Sequence, residues 1–93
     1  MRYQDIPQGQ RALTFPTSFL IKAIGITKYN IRAVLLSVLE QHQTEYTVDS
    51  ITELSSKNGK YASVTVSITA RSRKQLDDIY EGLDARPEIV MTI

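Results

Sequence analysis

The ten residues Tyr61–Ala70, YASVTVSITA, alternate without a break. Ala62, Val64, Val66, Ile68 and Ala70 fall on one side; Tyr61, Ser63, Thr65, Ser67 and Thr69 fall on the other. A period of two, rich in β-branched residues, is the pattern of a strand with one buried face. That greasy face demands a cover, and two flanking segments have the helical spacing to supply it. Ile31, Val34, Leu35, Val38 and Leu39 recur at three- and four-residue steps, which predicts a helix from about Lys28 to His42 with Thr27 or Asn30 as its cap. Leu76, Ile79, Tyr80 and Leu83 predict a second helix, ending near Asp84 and opened by the capping-box pair Ser72 and Gln75.

Upstream, Ser18–Ile24 reads as the first strand, ended by Gly25. Phe19, Ile21 and Ala23 should point inward, and Leu20, Lys22 and Ile24 away. Tyr46–Leu54 reads as the second strand, its alternation faulty around Asp49-Ser50 as at a bulge or an edge. Asn58-Gly59 signals a hairpin whose type I′ turn needs positive φ at both residues, and Pro87 precedes a last strand, Glu88–Ile93. The order strand, helix, strand, strand, helix, strand is that of the ferredoxin-like βαββαβ sandwich, an α+β fold in which two helices cover one face of a four-stranded antiparallel sheet. Right-handed crossovers place the first and third strands in its centre. Met1 to about Ala12, polar and broken by Pro7 and Gly9, reads as a flexible arm before a single domain spanning residues 13–93.

Composition removes several functions. The chain has no cysteine and one histidine, His42, so it offers neither a thiolate nor the ligands of a multi-His metal centre; no cofactor is expected. A net charge of +1 argues against nucleic acid as a partner, since that binding rests on many cation–phosphate contacts. No run approaches the ~20 apolar residues of a membrane span, and no signal-peptide core follows the N-terminus; a cytoplasmic location is the expectation. No paired carboxylates, Ser–His arrangement or Gly-rich phosphate loop can be assembled, so the chain does not read as an enzyme.

Three places remain as candidate sites. The uncovered sheet face should carry Leu20, Lys22, Ile24, Tyr61, Ser63 and Thr65. It has no mid-strand aromatics on which RNA bases could stack, and reads better as a Ser/Thr-rich face that is either solvated or packed in a dimer. Gly25, Ile26 and Thr27 join the first strand to the first helix, where a glycine lets a ligand approach the backbone; a tight turn is the competing reading. Arg71, Ser72, Arg73 and Lys74 put positive charge at a helix start, against the helix dipole. A bound anion would account for that choice, and so would Arg73–Asp77 and Lys74–Asp78 pairs one turn apart.

The segments LTFPTSFLIKAIG (Leu13–Gly25), SSKNGKYASVTVSITA (Ser55–Ala70) and KQLDDIYEGLDARPEIVMTI (Lys74–Ile93) resemble the YbeD-like family of small bacterial proteins. Its most specific pieces are Phe15–Thr17, Lys22 with Gly25, and Ser55–Lys57 with Tyr61, Ser63 and Val64. The resemblance implies a cytosolic ferredoxin-like protein shaped like ACT regulatory domains, which bind small effectors near the loop after the first strand and at dimer interfaces. It transfers no catalytic residue. The combined expectation is a non-enzymatic, ACT-like regulatory or small-ligand-sensing module, acting through self-association as a homodimer or through a protein partner. The alternative is a nucleic-acid-binding module using the open sheet face and the basic helix start.

Overall fold

The computed structural model describes residues 14–93. Its elements are β1 (Thr17–Ile26), α1 (Ile31–Gln41), β2 (Glu45–Tyr46), β3 (Thr52–Ser55), β4 (Tyr61–Ala70), α2 (Arg73–Asp84) and β5 (Ile89–Thr92), with a short 3-10 turn at Val48–Ser50. The arm read from residues 1–12 lies outside the described residues.

β1 and β4 pair antiparallel over their whole length, from Thr17 opposite Ala70 to Ile26 opposite Tyr61. β5 lies on the free side of β1, while β2 and β3 follow one another along the free side of β4. Five strands thus occupy four lanes, with β1 and β4 in the centre, as the ferredoxin-like order requires. The inward residues of β1 and β4 meet Ile31, Leu35, Val38 and Leu39 of α1 and Leu76, Ile79, Tyr80 and Leu83 of α2 in one buried core. Both helices therefore lie on the same face of the sheet. Each large side chain removed from water there contributes roughly 1.5–3 kcal/mol.

Several boundaries differ from the sequence expectation, each for a local reason. α1 starts at Ile31, because Asn30 is the cap: its side-chain oxygen accepts from the Ala33 N–H at 3.1 Å. Gly25 does not end β1. The strand runs on to Ile26, and Gly25 stands where the register with β5 shifts. A Cβ there would lie 2.3 Å from Ile31 Cδ1 and 2.4 Å from the Glu88 carbonyl oxygen. The glycine is needed for close approach of the helix and the last strand, not for a turn. The second strand is broken at the position where its alternation failed. Within the 3-10 turn Ser50 substitutes for the missing ladder: its hydroxyl donates to the Thr47 carbonyl at 2.6 Å and accepts from the Ser67 N–H at 2.9 Å.

The hairpin is not of type I′. Gly59 has φ 73°, but Asn58 does not share the left-handed region. Lys60 makes the connection too long for a two-residue loop. The loop instead closes with Ser56 N–H on the Tyr61 carbonyl (2.7 Å) and Gly59 N–H on the Ser56 carbonyl (2.9 Å), while Asn58 Oδ1 accepts from the Lys60 N–H. α1 ends in a Schellman turn, with Thr44 N–H on the Leu39 carbonyl and Gln43 in the left-handed position at φ 50°.

Two expected outcomes follow from this packing. Gly25→Ala has no relief open to it, since one of the clashing atoms is backbone. It should destabilise the fold by about 2–3 kcal/mol, read from the urea midpoint. Tyr80 is buried beneath the sheet, and burial pushes its phenol up to about 12 from the ordinary 10.0. Between those values the unfolded chain gives up the proton and the folded chain keeps it. Stability should therefore be unaffected below pH 10 and fall as pH rises to about 12, by on the order of 2 kcal/mol. Urea melts of Tyr80→Phe against the parent across that window should show this step missing in the variant.

Candidate functional site

The strand pairing that buries one face of the sheet composes the other, because residues directly opposite one another share a side. Ile26 stands beside Tyr61. The next row is Leu54, Ser63, Ile24 and Met91. The one after is Thr52, Thr65 and Lys22, completed by Ile93, whose N–H and carbonyl both bond to Lys22. Leu20 then neighbours Ser67, and Ser18, Thr69 and Glu45 close the far end. Among the described residues no helix covers this side. Leu20 is 65% exposed, Leu54 62% and Met91 53%, so three large aliphatic side chains stand in water on one surface.

All six residues expected on the open face are there. Sequence reasoning missed Leu54, Met91 and Ile93. Leu54 lies beyond the 3-10 turn, which resets the alternation of its strand. In β5 the register shift at Ile24/Gly25 decides which residue joins this face, and it sets Met91 opposite Ile24. A shallow cleft of about 220 Å³ opens among Lys22, Ile24, Leu54, Ser55, Ser56, Tyr61, Ala62 and Ser63. It combines one ammonium, several hydroxyls and an apolar floor. Lys60 Nζ lies 5.4 Å from the centre of the Tyr61 ring, capping it with a cation.

The other two candidate sites are built into the fold's own bonding. Beside Gly25, the room that a side chain would take is filled by Ile31 and by the Glu88 backbone. Ile26 is the last residue of β1. Thr27 ties its loop to the hairpin: its hydroxyl donates to the Gly59 carbonyl at 2.6 Å, and its N–H donates to the Lys60 carbonyl at 3.0 Å. At the start of α2, the Arg71 guanidinium bonds the Glu45 carboxylate. Lys74 Nζ donates to Asp78 at 2.8 Å, and that bond raises the lysine above its usual pKa. Ser72 accepts from the Gln75 N–H, while the Gln75 side chain accepts from the Arg71 N–H and donates to the His42 carbonyl. The capping box is present, with Gln75 reaching one residue further back than the usual pattern. Arg73 opens the helix beside these groups. The depression there, of about 380 Å³, is lined largely by groups that already have partners.

Among the described residues there is no cluster of metal-binding side chains, and no helix is long and apolar enough to cross a membrane. The fold resembles that of the solution structure of protein HP0495 from H. pylori, with a TM-score of 0.68 at 21% identity over 95% of this chain and 94% of that one. In sequence, the chain is 30% identical over 90 residues to a UPF0250 protein of Leptothrix cholodnii, covering 97% of this chain and 99% of the relative. It is 31% identical to one of Nitrosomonas europaea, covering 87% and 93%. Residues 10–93 match the family described as a protein of unknown function, DUF493. The chain belongs to that family, which bears out the likeness read from its three segments.

Thr27 gives a direct check on how this corner is held. Thr27→Val should destabilise the protein by about 1 kcal/mol through loss of the hydroxyl bond. It should also speed amide hydrogen exchange in the hairpin Ser56–Lys60 selectively, with α2 unaffected.

Proposed function

We propose that this chain is a non-enzymatic regulatory module, ACT-like in outline, which works in the cytoplasm by association through the bare face of its sheet. The cleft beside Lys22 would then seat a small effector. One observation carries this reading: Leu20, Leu54 and Met91 stand exposed together on a layer whose other face alone is covered. Apolar area left in water costs roughly 25 cal/mol per Å², so a face that carries several such side chains is stabilised by being covered. Strands of ten residues, about 33 Å long, and four lanes about 4.8 Å apart give a footprint on the order of 500 Å² per molecule. That is the low end for specific association, and it suits a contact that forms and breaks. The cleft is smaller than most drug-sized pockets, which favours an effector of few heavy atoms. Nucleic-acid binding has weaker support. β4 offers Ser63, Thr65 and Ser67 where bases would stack, and Arg71 and Lys74 at the helix start are paired with Glu45 and Asp78.

Sedimentation velocity from ~10 to ~500 µM, beside a thermal-shift screen of amino acids and other small metabolites, tests the reading. The parent should associate with rising concentration. Leu20→Glu with Leu54→Glu should stay monomeric at an unchanged melting temperature, and an effector should raise the melting temperature of the parent by several degrees. A parent that remains monomeric throughout, and whose melting no metabolite raises, would defeat it.

A further inference from the structure

The near-neutral total conceals how the charges are placed. β1, β3, β4, the β1–α1 loop and the β3–β4 hairpin together carry Lys22, Lys28, Lys57 and Lys60 against Glu53 alone. On α2, by contrast, Arg73 and Lys74 face Asp77, Asp78, Glu81 and Asp84. Thr27 binds the two loops together, which brings the loop of Lys28 beside the hairpin of Lys57 and Lys60; Lys22 stands on the adjoining open face, where it lines the cleft with Ser55, Ser56 and Tyr61. Lys22 has no ion-pair partner among the described residues. Glu53 belongs to the opposite side of the sheet, since it pairs with inward-facing Val64. Asp49, on the 3-10 turn, is the next acid along this edge.

Beside the lysines runs a free strand edge. Among the described residues β3 pairs only with β4, and all four residues of β3 are exposed. The Ser56–Tyr61 backbone bond sets the alternation: Thr52 and Leu54 turn their backbone groups toward β4, and Glu53 and Ser55 turn theirs outward. Those outward N–H and C=O groups have no neighbouring strand among the described residues. The cleft at Leu54, Ile24 and Tyr61 opens on the adjoining face.

We propose that this corner docks an extended acidic segment of a partner protein. The segment adds as a strand along β3, presents carboxylates to Lys22 and Lys60, and places one apolar side chain in the cleft. This rests on the sheet face being the working surface and names the chemistry of what it meets. Backbone pairing supplies affinity, alternate side chains supply specificity, and the unpaired ammonium of Lys22 selects for negative charge. A peptide fits these features better than a nucleic acid does. Outward-turned backbone groups are partners for another backbone, whereas the ring a base would stack on, Tyr61, is capped by Lys60.

Amide chemical-shift titration of the full chain decides the matter, with three probes: a peptide of about nine residues alternating Val and Glu, its Val/Gln counterpart, and an oligothymidine of about twelve nucleotides. The Val/Glu peptide should move the amides of Thr52–Ser55, Lys22 and Tyr61. It should bind about fivefold or more tightly than the Val/Gln peptide, with an advantage that fades as salt rises. Lys22→Gln with Lys60→Gln should lose that advantage, and Lys74→Gln should keep it. No shift at β3 with millimolar peptide, or equal affinity for the two peptides, would overturn the proposal. So would oligothymidine binding more tightly at Lys22 and Tyr61, which would reassign the corner to nucleic acid. A protein that self-associates yet ignores the Val/Glu peptide loses this docking site and keeps the sheet-face reading; failure in both loses both.

Discussion

The register between β1 and β4 is the constraint on which the rest of the molecule depends. Two ten-residue strands pair over their whole length, and their side chains alternate with a period of two. Only this pairing sets Phe19 beside Ile68, Ile21 beside Val66 and Ala23 beside Val64, in one contiguous apolar layer. A slip of one residue would carry that layer to the other face and leave both helices with nothing to cover. The same alternation sends Leu20, Lys22, Ile24, Ser63 and Thr65 to the bare side. The core and the candidate working surface are therefore two faces of a single pairing, and neither can be altered in register without the other.

Gly25 shows how the ends of that pairing are closed. By carrying no Cβ it lets Ile31 of α1 and the backbone before β5 converge on the strand. The register shift beside it decides that Met91 joins the exposed face. One residue thus links the start of α1, the seating of the last strand and the composition of the surface on which association is proposed. The basic start of α2 is comparable. Residues with the look of a binding site are committed to Glu45, Asp78 and the Gln75 bridge between the helix and the end of α1. Lys22 on the sheet and the outward rim of β3 have no such partners among the described residues, and the proposed docking is placed there for that reason.

Charge illustrates why composition and placement answer different questions. A total near zero describes the field of the whole protein far from its surface. Within a Debye length, about 8 Å at physiological salt, only local groups count. There the four lysines of β1, the β1–α1 loop and the β3–β4 hairpin meet Glu53 alone on those elements and β3, while α2 sets Asp77, Asp78, Glu81 and Asp84 against Arg73 and Lys74.

The helical and alternating periods of the chain by themselves determined the alternation of strands and helices, both helix stripes, both buried strand faces and the six open-face residues of β1 and β4. These are consequences of local geometry, 3.6 and 2 residues per repeat, with water as the only partner that needs to be known. The break at Asp49-Ser50 was legible for the same reason. The tertiary structure alone decided the rest: that Asn30 rather than Thr27 caps α1, because the Thr27 hydroxyl is taken by the hairpin; that the register shift at Ile24/Gly25 sets Met91 opposite Ile24; and that the loop of Lys28 meets the hairpin of Lys57 and Lys60 beside an edge with no neighbouring strand among the described residues. Each of those outcomes depends on which element arrives next to which, and contacts between remote segments leave no period in the sequence to read.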